Sequence, residues 1–215
     1  MKNALIACAL SASLYAGHAC AGTFVIDDFN SGDQSITTST KNVTVSDTNA
    51  IRTLSSTLTT TLPPVQSSAT VSNGYLDITN GVGETSVVDL TWSLAALSIP
   101  TDISQVSFVF TVIASDGNPT SLTFTLDGVA IYTTTIPANT SDADVTFTVA
   151  SSLLSSGGTL ELSITGQAGW DLALDSIGIS WSEPSNSTPE PTSVALLGLG
   201  LAGLGATRGR KRTTP

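Results

Sequence analysis

The strongest constraint on this chain is a two-residue alternation that recurs along its middle. Val145, Phe147 and Val149 are separated by Thr146 and Thr148, and Leu160, Leu162 and Ile164 by Glu161, Ser163 and Thr165. Successive side chains of a strand point to opposite faces, so this spacing puts apolar groups on one face and hydroxyls or charge on the other. Further segments have the same character: Thr23 to Phe29, Ala69 to Ser72, Tyr75 to Thr79, Ser86 to Trp92, Ser121 to Leu126, Val129 to Thr135 and Asp171 to Trp181. Two weaker strands are expected around Val43 to Val45 and Ile51 to Leu58, inside a Ser/Thr-rich region closed by Pro63-Pro64. Gln105 to Ala114 is apolar on both faces and is expected in the middle of a sheet. Asn73-Gly74 and Asp127-Gly128 are hairpin turns, because both central positions of a type I′ turn need positive φ. A helical period is missing, apart from a turn at Ser151 to Ser155, and there is no internal repeat. About ten short strands at this spacing predict an all-β fold, an antiparallel β-sandwich of jelly-roll-like form.

The two ends break this pattern. Lys2, the apolar run Ala4 to Ala16 and the small-x-small site Ala19-Cys20-Ala21 read as a signal peptide over residues 1–21, with cleavage before Gly22. At the other end, SEPSNST (182–188) is a polar linker. After it come Pro189-Glu190-Pro191, an apolar stretch over 192–207 and the basic cluster Arg208, Arg210, Lys211 and Arg212. That stretch reads as a short transmembrane helix, and the basic cluster as the lock that keeps the C-terminus cytoplasmic. The sandwich itself is expected over residues 22–181, and the tail segment over 189–215. Gly198-Leu199-Gly200-Leu201-Ala202-Gly203 fits a dinucleotide fingerprint by letter, but no acidic residue follows about 20 positions on, so it is rejected.

The tail resembles the PEP-CTERM sorting signal of Gram-negative bacteria, on the triplet Pro189, Glu190 and Pro191, the run LLGLGLAGLG and the cluster RGRKR. That resemblance implies export by the general secretion machinery and a transient inner-membrane anchor. An exosortase then cuts near the triplet and passes the chain to the outer surface or the medium. It also implies an association with exopolysaccharide and biofilm. An ordinary uncut anchor, holding a periplasmic domain to the inner membrane, is the alternative reading of the same segment.

Chemistry is bounded by what the body lacks. Cys8, Cys20 and His18 are the chain's whole complement of cysteine and histidine, and all precede Gly22. The body therefore has no disulfide, no zinc site of the usual kind and no Cys- or His-based nucleophile. Only Lys41 and Arg52 stand against sixteen acidic residues there, a balance of about −14, which disfavours nucleic acid and anionic membrane surfaces. No catalytic residue is assigned, and the reading is a non-enzymatic exported surface or matrix protein. A carbohydrate-binding module is the alternative.

Two candidate sites follow. Val25 to Phe29 and Asp171 to Ile177 resemble the paired first and last strands of jelly-roll domains of the galactose- and carbohydrate-binding type. This implies that Asp27, Asp28, Asp171 and Asp175 could supply oxygen ligands to calcium, a hard cation. Trp92, Trp170, Trp181, Tyr75 and Tyr132 are candidates for stacking on sugar rings. Trp170 is favoured, because Gln167-Ala168-Gly169 places it in a loop.

Overall fold

A computed structural model of the chain describes residues 21–36, 43–46, 50–60, 66–182 and 198–199. Ala21–Ser182 forms a compact unit with its own hydrophobic core. Ala19, the triplet Pro189 to Pro191 and the basic residues Arg208, Arg210, Lys211 and Arg212 lie outside the described residues. Among the described residues no helix is long and apolar enough to cross a membrane.

The described strands are β1 (Ala21–Asp27), β2 (Gln34–Ile36), β3 (Val43–Ser46), β4 (Ala50–Thr60), β5 (Ser68–Ser72), β6 (Tyr75–Thr79) and β7 (Thr85–Leu94), followed by β8 (Gln105–Ser115), β9 (Thr120–Leu126), β10 (Val129–Ile136), β11 (Ser141–Ala150), β12 (Gly158–Gly166) and β13 (Leu172–Ser182). One sheet has the order β11-β8-β13-β6-β5-β2, with β1 also paired to β13. The other has the order β10-β9-β12-β7-β4-β3. All pairings are antiparallel. From β7 onward the chain changes sheet at every connection except the β9–β10 hairpin, which wraps it into a jelly-roll sandwich.

The alternation works as the sequence predicts. In β7, β9 and β12 every second residue is buried, and the inner rows Val88, Leu90, Trp92; Leu122, Phe124, Leu126; and Leu160, Leu162, Ile164 face the opposite sheet. Phe108, Phe110, Phe124 and Phe147 pack against one another with ring centroids 4.9–6.4 Å apart. Tyr132 stacks on Phe147 at 4.1 Å, joining the two edge strands β10 and β11 across the sandwich. Asn73-Gly74 and Asp127-Gly128 both have two positive φ values, as the hairpin turns require. β8 lies inside its sheet between β11 and β13. The turn expected near Ser151 is a single 3-10 turn, Ser151–Leu153.

β1 and β13 pair antiparallel, with Ala21 opposite Ser182. Both ends of the unit therefore leave from one pole. β2 has no counterpart in the sequence reading. It is three residues long and joins the sheet only through β5.

Candidate functional site

Two buried polar clusters hold the sandwich together. In the first, Asp27 ends β1 and Arg52 lies on β4, in the opposite sheet. Both side chains are 0% exposed. Arg52 Nη1 donates to both carboxylate oxygens of Asp27 at 2.8 Å, Nε to Gln34 Oε1 at 2.8 Å, and Nη2 to the carbonyls of Ser31 and Gly32 at 3.0 and 2.6 Å. Trp92 Nε1 and the Phe29 N–H also donate to Asp27, at 2.8 and 2.9 Å. The guanidinium carbon lies 5.6 Å from the centroid of the Phe29 ring. A rigid planar fork suits this arrangement, since it satisfies a carboxylate and two carbonyls at once.

This corrects the calcium reading at Asp27. The positive charge there comes from Arg52, 25 residues away in sequence. Asp28 accepts from the Asn30 N–H in a local turn. Asp171 lies just before β13, and Asp175 lies in β13 where its ladder with β8 is irregular. Among the described residues no group of three or more carboxylates is placed to hold a metal ion.

The second cluster surrounds Glu84, which is buried. Its carboxylate accepts from Ser67 Oγ at 2.7 Å and from the backbone N–H groups of Gln66 and Gly81. The Ser67 hydroxyl, and then these backbone donors, hold its pKa below the ordinary range against the opposing effect of burial. Asn80 extends the cluster by accepting from Ser67 and Ser86 and donating to the Trp170 carbonyl. Its own N–H donates to Asp171 Oδ1 at 2.8 Å.

The stacking assignment to Trp170 is also corrected. Its side chain is 0% exposed. The Gln167–Trp170 turn, closed by Trp170 N–H to Gln167 carbonyl at 3.1 Å, folds the ring back over Gly166. A Cβ on Gly166 would lie 2.5 Å from the indole, so the absent side chain makes room for the ring. Trp92 is buried, and Trp181 and Tyr132 are partly buried against the core. Tyr75 is the exposed ring of the five, at 45%.

Tyr75 borders a surface depression of about 320 Å³, lined also by Ser72, Asn73, Asp77, Ile113 and Ala173. A second depression of about 230 Å³ shares Asp77 and Ala173 with it and adds Ala114, Ser115, Asp116, Asp171 and Leu172. The two form one shallow groove on the outer face of the β8-β13-β6 sheet. Asp116 is held by Asn118, whose N–H and Nδ2 donate to its two oxygens. Burial raises the pKa of Asp171 above the ordinary value, and repulsion from Asp116 and Asp77 adds to it, against the Asn80 hydrogen bond. A larger apolar cleft of about 610 Å³ lies beside β10, where Val129, Ile131, Val149 and Leu153 line it with Asp127 and Thr148. In the groove, sequence reasoning named only Asp171 among the acids and passed over Tyr75 in favour of Trp170.

The PEP-CTERM protein-sorting motif matches residues 187–211. No characterised protein sequence matches the chain. Among solved structures, a family 35 carbohydrate binding module from Clostridium thermocellum is 9% identical, with 75% of this chain and 98% of that one covered and a TM-score of 0.38. The N-terminal cellulose-binding domain of a Cellulomonas fimi β-1,4-glucanase C is 15% identical, with coverage of 58% and 86% and a TM-score of 0.38. A carbohydrate binding module from a Cellvibrio mixtus lichenase 5A, in complex with cellotriose, is 17% identical, with coverage of 74% and 96% and a TM-score of 0.33.

Proposed function

We propose that this chain is an exported, non-enzymatic surface or matrix protein, delivered through its C-terminal sorting segment and cut there by an exosortase. The match of the sorting motif to residues 187–211 carries this reading. The body supports it by lacking cysteine and histidine, the residues that most often activate a nucleophile. In this reading the signal peptide is removed at Ala21, the 192–207 run anchors the chain briefly, and Arg208 to Arg212 hold its end in the cytoplasm. The β-body then reaches the outer surface, among exopolysaccharide. Mass spectrometry of the protein recovered from its host tests this. The mature chain is expected to start at Gly22 and to end near Pro189–Pro191. An intact RGRKR end would overturn the sorting step and leave an anchored periplasmic domain.

A second reading, that the sandwich binds carbohydrate, is favoured by the groove. A sugar ring offers an apolar face to an aromatic and hydroxyls to carboxylates and amides. Tyr75 provides the exposed ring, beside Asn73 and Asp77. The groove is also well placed for a tethered domain. Ala173 lies nine residues back along β13 from Ser182, about 30 Å at strand rise, so the groove is remote from the pole where both ends leave. In this second reading Arg52 takes the structural role first given to calcium, and a chelator is expected to leave the melting temperature unchanged. A glycan array with the 22–188 chain and its Tyr75→Ala variant tests the binding. Absence of any Tyr75-dependent signal would sink it.

A further inference from the structure

Resting on the carbohydrate reading of the groove, we infer that its ligand is a polysaccharide of amino sugars whose nitrogens are unblocked and carry positive charge. The argument begins with what the surface lacks. Among the described residues Arg52 is the single Lys or Arg, and it is buried in its pair with Asp27. Asp77, Asp116 and Asp171 line the groove without a described basic side chain to offset them. A uronic-acid polymer or a sulfated glycan would meet three carboxylates of its own sign, and like charges in contact are unfavourable.

A neutral glycan would strip water from carboxylates that already repel one another. Asp77, Asp116 and Asp171 line one hollow, and burial first, then repulsion from Asp116 and Asp77, raises the pKa of Asp171. An ammonium group relieves that repulsion, and a charge-assisted hydrogen bond from N–H to carboxylate is stronger than one from a neutral hydroxyl. A single metal ion is the other way to supply positive charge. Among the described residues, however, no three acidic groups are placed around one point that could hold an ion. Charge spread along a groove fits charge spread along a polymer. Tyr75, Ile113 and Ala173 form the apolar part of the same hollow, suited to the face of a pyranose ring.

The test is calorimetric titration of the 22–188 chain, at mildly acid pH, with a fully de-N-acetylated β-1,4-glucosamine hexamer. Its N-acetylated counterpart and cellohexaose serve as the neutral probes. The charged hexamer is expected to bind about tenfold more tightly than either, as two or three exposed ion pairs allow. Asp77→Asn should weaken it about two- to fivefold. Asp102→Asn, the same charge change in a turn outside the groove, should leave it unaltered. Tyr75→Ala should weaken all binding. Equal affinity for charged and neutral hexamers, still dependent on Tyr75, would overturn the amino-sugar inference and leave the groove standing. Equal losses from Asp77→Asn and Asp102→Asn would show attraction to the whole acidic surface and also overturn it. No binding by any hexamer would remove both readings.

Discussion

Replacing Arg52 with methionine tests the centre of the fold. The side chain is 0% exposed and its guanidinium donates to both Asp27 oxygens, to Gln34 and to the Ser31 and Gly32 carbonyls. Methionine fills much of the volume but leaves the Asp27 carboxylate without its charge partner. Breaking a buried pair in this way costs about 3–5 kcal/mol. Against a total stability on the order of 5–15 kcal/mol, that is a large fraction. For a domain of this size it lowers the melting temperature by roughly 6–20 °C. Urea unfolding of the 22–188 chain gives the free energy directly, as a lower midpoint with an unchanged slope. The double variant Arg52→Met with Asp27→Leu removes both charges. It should recover much of the loss, because no uncompensated ion remains. A loss below about 1 kcal/mol for Arg52→Met, or a double variant as unstable as the sum of the singles, would refute the account of a buried pair joining the two sheets.

Acid stability should divide between two carboxylates of opposite sign. Glu84 has its pKa held below 4.5 in the fold, so its contribution is present above the ordinary carboxylate range and is lost as pH falls through the lowered value. Glu84→Gln is therefore expected to destabilise at neutral pH and to flatten the acid limb of a melting-temperature profile below about pH 4.5. Asp171 is raised above 3.8, so it favours the fold when protonated and opposes it as pH rises through the raised value. Asp171→Asn should stabilise at neutral pH by under ~1 kcal/mol, with the gain vanishing on acidification in the same melts. Gly157→Ala, at φ +72° with its Cβ 2.5 Å from the Leu94 carbonyl oxygen, should cost clearly more in urea unfolding than Gly128→Ala, at φ +78° with open space around it. Thr120→Val removes a buried hydroxyl that has no hydrogen-bond partner among the described residues, and should raise the stability read from urea unfolding by up to ~1 kcal/mol.

Much of the sandwich was legible because its cues are local. A period of two needs only neighbouring residues, and the Asn73-Gly74 and Asp127-Gly128 turns announce themselves by backbone tolerance. β2 was illegible for the same reason. Gln34-Ser35-Ile36 is too short to show a period, and its place depends on β5, more than thirty residues later. Trp170 was misread because a Gln-Ala-Gly loop suggests exposure. What buries the ring is the bare backbone of Gly166 beneath it. Tyr75 shows the converse. Its strand alternates cleanly, but nothing local says that the outer face of β6 borders a groove.

The sequence by itself determined the layer architecture and the C-terminal sorting motif, because hydrophobic period, turn residues and a short terminal segment act within a few residues of chain. Tertiary structure alone decided how the acids are used. Asp27 became the partner of an arginine 25 positions away, Glu84 was enclosed by a serine hydroxyl and backbone donors, and Asp77, Asp116 and Asp171 came to line one surface groove. The physical reason is that a carboxylate's role is set by which charges and donors surround it, and antiparallel pairing brings those from distant parts of the chain.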